Sequence, residues 1–268
     1  MTATAPAAAA GSAAPAGTRS WLSLALLHTR FQLLESVRVP IAVIGNLLFP
    51  SLALLFFVVP QRAVADDPLA SVAAVAQLGT FAVMSACLFT LGAGVSEDRQ
   101  LAFDPYVRTL PAGAGPRLAG RIVNAIVFCL GAQVPVILIA VLLTSASVTP
   151  ARGLGGLAMV PVVAVPFTLL GLAIGYALSA KAAIAVVQAV LFPLAFAGGL
   201  FLPPEAFPSW LDALSQALPS RAARDLVVEV TTGIEGSPWA LPVLLAWTAA
   251  FAALAVLAYR RDEGRRFR

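Results

Sequence analysis

The stretch EDRQLAFDPYVRTLPAGAGPRLAGR, Glu97 to Arg121, carries seven charged side chains in 25 residues, while the apolar runs on either side carry none for about 20. Four of the seven are Arg99, Arg108, Arg117 and Arg121. An arginine-rich connection between two long apolar runs marks the cytoplasmic side of a membrane. The connection, taken as 96–118, is longer than the roughly 4–6 residues of a compact turn. Over 99–110 the spacing fits a short amphipathic helix, with Leu101, Val107 and Leu110 apolar among Arg, Asp and Tyr. A helix of that kind at the cytoplasmic face offers a soluble partner a place to dock. The candidate docking residues are Arg99, Asp104, Tyr106 and Arg108.

Working outward, the rest of the chain agrees with a bilayer. It has 268 residues, 60% hydrophobic and 11% charged, with a mean hydropathy of +0.91. Soluble domains are roughly 45–50% apolar and about 25% charged. A spanning helix needs about 20 apolar residues, and six apolar runs are present: 39–60, 71–95, 119–145, 155–178, 182–202 and 238–259. With both termini inside, 13 of the 17 Arg and Lys fall on the inner side and 4 (Arg62, Arg152, Arg221, Arg224) on the outer side. Acids divide 6 inside and 7 outside, so the asymmetry lies in the cations, as the positive-inside rule requires. These cations sit beside spans, where topology and anionic lipid account for the net charge without nucleic acid.

The predicted fold is all-α: six transmembrane helices over 39–259, preceded by an interfacial amphipathic helix at 19–38 and followed by a basic cytoplasmic tail at 260–268. Residues 1–18 are a low-complexity Ala/Pro/Gly/Ser/Thr tail with too little apolar surface to fold. The 19–38 segment places Trp21, Leu22, Leu24, Leu27, Phe31 and Leu34 near a 3.6 period, which fits either a helix lying in the interface or a cytoplasmic extension of the first span. Gly171 and Gly175 form a small-residue face, used either between subunits or for close packing within one.

The outer connection at 198–237 is long. Phe207, Trp210, Leu211, Leu214 and Leu218 recur at helical spacing up to Pro219, and a second helix is predicted from an N-cap at Ser220 to a stop at Gly233. The pair reads as a helical hairpin that either re-enters the outer leaflet or lies flat on it. In the re-entrant case Phe201, Phe207 and Trp210 are candidates for an outer gate.

Several chemistries are absent from the sequence. The only Lys, Lys181, sits in SAKAA, so no phosphate-binding loop exists. His28 is outside the spans, no metal-ligand spacing occurs, and no catalytic residues are assigned. Cys87 and Cys129 each lie inside an apolar run, which fits small core residues rather than a disulfide framework. The spans hold no Asp or Glu at mid-depth, where ion-coupled transporters place ionisable groups. If this chain moves a solute uphill, the energy enters from outside the membrane domain. Asn46, Phe49, Gln77, Met84, Phe192 and Phe196 are candidates for lining a cavity for an apolar or amphipathic solute. For each, packing against a neighbouring helix is favoured over solute contact.

Two motifs carry a family resemblance. Gly94–Arg121, with Glu97-Asp98, Arg108, Leu110-Pro111 and Gly120-Arg121, resembles the first cytoplasmic loop of ABC-2 type exporter permeases, especially the daunorubicin-resistance group. Ala102 replaces the usual glycine, and Pro105-Tyr106 stand where an acidic–basic pair is common. Gly198–Gly233 is similar to the outer loop of the same family, with Leu218-Pro219 in place of Asn-Pro. The resemblance covers about 19–262 and implies a non-enzymatic permease subunit in the plasma membrane, paired with a second permease copy, identical or different. Two copies of a separate ATPase would supply ATP and Mg; this chain itself would bind no cofactor. It implies a route between subunits lined by the first, second and fifth spans, and a cargo of the drug, antibiotic or lipid class. A channel or secondary transporter independent of any ATPase is the rival reading.

Overall fold

The computed structural model describes residues 20–38, 48–102, 106 and 115–266. The helices are α1 (Trp21–Arg38), α2 (Leu48–Val58), α3 (Pro68–Asp98), α4 (Gly115–Leu143), α5 (Pro150–Ala177), α6 (Ala180–Ala197), α7 (Ser209–Ser215), α8 (Pro219–Thr232) and α9 (Ala240–Arg266). Among the described residues there is no strand. Five helices, α3, α4, α5, α6 and α9, are long and apolar enough to cross a membrane. The sixth expected span is represented by the shorter α2, because 39–47 of that run lie outside the described residues.

Local chemistry fixes several boundaries. At the start of α3, Asp67 Oδ1 accepts the N–H groups of Leu69 and Ala70, each at 2.8 Å, and Pro68 supplies the preset first turn. Thr149 and Pro150 repeat the device at α5. Gly233, at φ 75°, ends α8 as the sequence predicts, since a left-handed C′ position suits glycine. The start of α8 departs from expectation. Ser220 does not cap it but lies in its first turn, where Oγ donates to the Leu194 carbonyl at 2.6 Å and ties α8 to α6.

The helix α3 is the most buried of the five candidate spans: its apolar window is 83% buried, against 22% for α6 and α9. It is not uniformly α-helical, for Leu88–Ala93 form a π turn between two α segments. The widened turn meets Gly171 and Gly175 of α5. A Cβ on Gly171 would lie 2.9 Å from the Cys87 carbonyl oxygen, and one on Gly175 2.9 Å from Val95 Cβ. The small-residue face therefore serves close packing inside one subunit. Gln133 of α4 adds a polar stitch, donating to the Gly79 carbonyl of α3 at 3.2 Å.

Three segments read from the sequence gain detail. The helix α1 packs along α4 through its small face, with Ala25 and Thr29 buried and a Cβ on Gly120 only 2.8 Å from His28 Cβ; Leu22 and Phe31 are exposed, and Trp21, though exposed, lays its indole edge against Gly115 at the start of α4. Close backbone approach at Gly120 admits small side chains and turns the bulky stripe outward. The helix expected over 99–110 does not begin at Arg99: α3 ends at Asp98, and Arg99–Ala102 make a turn. Finally, the predicted tail at 260–268 is helical through Arg266, because α9 runs on past its apolar segment.

Candidate functional site

The middle of α3 and its Asp98 end carry the candidate site. Near the middle, Phe81 is 1% exposed and anchors an aromatic cluster. Its ring centroid lies 5.6 Å from Phe49 of α2 and 4.7 Å from Phe201, which follows α6. Phe49 lies 6.0 Å from Phe192 and 6.5 Å from Phe201, and Phe196 lies 4.9 Å from Phe201. All five rings meet tilted or edge-on, the favoured aromatic arrangements. The cluster is closed on the α3 side and open on the other, where Phe49 is 46% and Phe196 54% exposed.

Phe201 owes its place to the turn before it. The Leu200 N–H donates to the Ala195 carbonyl at 2.9 Å, and Gly199 takes φ 75°, a conformation that bends the chain back over the end of α6. Phe201 also packs against α2, α3 and α4 through the group of Ala53, Leu54, Leu78 and Val136. Of the other candidates, Gln77 is buried one turn from Phe81 on the same face of α3. Met84 is completely buried in the main core. Asn46 lies outside the described residues. Of the gate candidates, Trp210 is exposed, and among the described residues neither it nor Phe207 makes a ring contact with the cluster.

The helix following the gate segment holds charges that the sequence presented only as outer cations. On α8, Arg221 Nε donates to both oxygens of Asp225 at 2.9 Å, and Arg224 adds a bond of 2.8 Å to Oδ1. Arg221 also reaches Asp212 at 3.2 Å and Ser215 Oγ at 3.0 Å, joining α7 to α8. The i,i+4 spacing of Arg221 and Asp225 was the available signal for this pair. The indole N–H of Trp247 donates to the Ala217 carbonyl at 2.8 Å, two turns inside the start of α9.

At the Asp98 end of α3 a clasp joins four helices. Arg99 turns inward: its guanidinium donates to the Gly175 carbonyl at 2.6 Å and the Leu178 carbonyl at 3.1 Å, and pairs with Asp262 of α9. These carbonyls belong to the C-terminal turn of α5, which lacks intrahelical donors. Arg99 also lies 5.9 Å over the Tyr176 ring, whose centroid is 5.1 Å from Tyr259. Asp98 accepts from Arg121 of α4 at 2.6 Å. Asp262 and Tyr259 are 163 and 160 positions from Arg99 (262 − 99 and 259 − 99), so no local pattern announced them. Tyr106 is 59% exposed, while Asp104 and Arg108 lie outside the described residues.

Beside the clasp, burial against α4 holds the His28 pKa below its usual value, with the Arg117 and Arg121 charges acting in the same direction. Among the described residues no three His, Cys, Asp or Glu side chains converge on a common point.

Residues 24–231 match the model of the family described as ABC-2 type transporter. A curated relative, "Putative transport permease YvfS" of Bacillus subtilis (strain 168), is 24% identical over 185 residues, which cover 68% of this chain and 75% of that protein.

Proposed function

The chain belongs to the ABC-2 type transporter family, a membrane permease family, and from that premise we propose that it is the membrane subunit of an ATP-driven exporter. It moves a hydrophobic or amphipathic compound, of the drug, antibiotic or lipid class, outward across the plasma membrane. A separate ATPase subunit binds ATP and Mg and supplies the energy. The observation that carries this reading is that one buried helix, α3, bears the aromatic cluster near its middle and the charged clasp at its Asp98 end. In this reading α2 completes a sixth span, both termini are cytoplasmic, α1 lies at the inner interface, and α7–α8 re-enter the outer leaflet. The Trp247–Ala217 bond, two turns inside α9, supports that depth.

The segment beginning at Tyr106 and continuing through Arg108 docks on the ATPase, and Arg99 passes its movement to α5 and α9. A second permease copy, identical or different, faces the exposed aromatic surface of α2 and α6. Cargo moves between the copies past Phe49, Gln77, Phe192 and Phe196, and Phe201 closes the outer end. ATP binding then acts by favouring one of two packings of the spans, as coupling by differential binding requires.

The test is a pull-down of the tagged chain from its native membrane in mild detergent, with the eluate assayed for ATP hydrolysis. Co-elution of a nucleotide-binding subunit with vanadate-sensitive hydrolysis is the expected result, together with loss of transport but not of membrane insertion in Arg108→Glu. A lone chain that conducts solute in liposomes without ATP would overturn the exporter reading in favour of a channel.

A further inference from the structure

The two cysteines, Cys87 of α3 and Cys129 of α4, are the only ones in the chain, and the fold brings their sulfurs to 3.5 Å. Both are completely buried. Thr168 Oγ1 lies 3.5 Å from Cys87 Sγ, while Cys87 Sγ lies 3.7 Å from the Ala164 carbonyl and Cys129 Sγ 3.7 Å from the Val83 carbonyl. Every neighbour is therefore either the other thiol or a neutral polar group, with no charge to stabilise one thiolate over the other. Cys87 is the last α-helical residue before the π turn of α3, the point at which a Cβ on Gly171 would meet its carbonyl oxygen. A covalent link here would tie α3 to α4 at the place where α3 changes helical pitch.

We propose that Cys87 and Cys129 form a membrane-embedded oxidation site, converted to an intramolecular disulfide by apolar two-electron acceptors of the quinone class. In the reaction each thiol loses its proton and the pair loses two electrons. The S–S bond forms, and the quinone leaves as hydroquinone carrying both protons and both electrons. The sulfurs must close from 3.5 Å to about 2.0 Å, a change of roughly 1.5 Å that a small rotation of α4 on α3 supplies. Both thiols lie within helices of membrane-spanning length and are fully buried, so an oxidant that reaches them must partition into an apolar environment. A polar oxidant such as oxidised glutathione has no comparable route, because thiol–disulfide exchange requires direct access to the sulfur. The proposal does not depend on what the chain transports.

The test uses the full chain in lipid nanodiscs, treated with duroquinone, whose fully substituted ring cannot alkylate thiols, or with oxidised glutathione. Free thiols are then counted by polymer-maleimide labelling after denaturation. Duroquinone is expected to remove both labels without forming dimers, to lower the mass by two hydrogens, and to be reversed by dithiothreitol. Oxidised glutathione is expected to leave both labels. In Cys87→Ser or Cys129→Ser the remaining thiol should stay labelled after duroquinone. Retention of both labels in the duroquinone-treated native chain, or cross-linking between chains in place of the internal bond, overturns the proposal.

Discussion

Replacing Arg99 by Ala tests whether the charged end of α3 is a structural clasp or a free surface. The Asp262 carboxylate is 3% exposed and the Arg99 side chain 14% exposed, so the pair is largely shielded from water. Arg99→Ala removes the Arg99 guanidinium from that carboxylate and from the Gly175 and Leu178 carbonyls. Removing one partner of a buried ion pair costs about 3–5 kcal/mol. At about 2–4 °C per kcal/mol for a chain approaching this size, the melting temperature should fall by roughly 6–20 °C. The measurement is thermal unfolding of the permease alone in nanodiscs, with no ATPase present. A double-mutant cycle with Asp262→Ala should show the double variant less damaged than the sum of the singles, with a coupling of about 1–3 kcal/mol. The exposed Arg62–Asp66 pair is the control, and Arg62→Ala should leave the melting temperature of the isolated chain within the roughly ±0.5 kcal/mol of a surface change. An Arg99→Ala protein that melts with the wild type, or singles whose effects add, would refute the clasp and return Arg99 to the docking surface.

Gly175→Ala should destabilise the isolated subunit by about 1–3 kcal/mol through overpacking against the Leu91 carbonyl and Val95, read as reduced yield and melting temperature of the monomeric chain. Phe201→Ala should open the outer end, raising passive dye leak in proteoliposomes, whereas Trp210→Ala, exposed and outside the ring cluster, should leave leak unchanged. His28 titrates below its ordinary 6.5 in the folded chain, so the unfolded state takes up its proton first as pH falls. Its contribution is complete above about pH 6.5 and declines as pH drops from there toward the folded pKa; His28→Asn should therefore flatten the melting temperature between pH 7.5 and 6 relative to wild type.

The helical fold was legible because hydropathy is a local property: α3, α4, α5, α6 and α9 each declare themselves within about 20 residues. Glycine at the end of α8 was legible for the same reason, since a left-handed stop is decided by one residue. What could not be read was which faces meet. The apolar stripe of α1 suggested a helix lying in the interface, but it gave no sign of the face that meets α4, which Gly120 selects because only small groups fit there. Ser220 looked like a cap because it precedes a helical pattern, but Pro219 already fixes the first turn and frees the hydroxyl for Leu194. The aromatic cluster was half legible: Phe49, Phe192, Phe196 and Phe201 were singled out on two runs and a loop, while Phe81, which unites them, looked like one more apolar residue. Cys87 and Cys129 were read one at a time as core residues, since 42 positions of sequence separation conceal a 3.5 Å approach.

These placements bear on how force would travel through the subunit. A helix buried on all sides cannot tilt without dragging its neighbours, because packed interiors resist continuous deformation. Were the docking segment to pull on Asp98 and Arg99, α4, α5 and α9 would follow through Arg121, the α5 carbonyls and Asp262. The aromatic cluster is held differently. Phe49 and Phe196 are half exposed; Phe49 meets Phe81 directly and Phe196 meets Phe201, ring contacts each worth about 0.5–1.5 kcal/mol beyond burial. The Asp98 end of α3 is thus fastened by buried charge, while the aromatic cluster beside its middle is held by apolar contacts alone. A displacement imposed at the clasp is resisted least in that cluster, so the first contacts to part should be those of Phe201 with Phe81 and Phe196. Cysteines at 49 and 196, labelled with spin probes in the Cys87→Ser/Cys129→Ser background, should separate when nucleotide and a docked ATPase are added and stay fixed in Arg99→Ala. Separation that persists in Arg99→Ala would mean that the movement enters the membrane by another route.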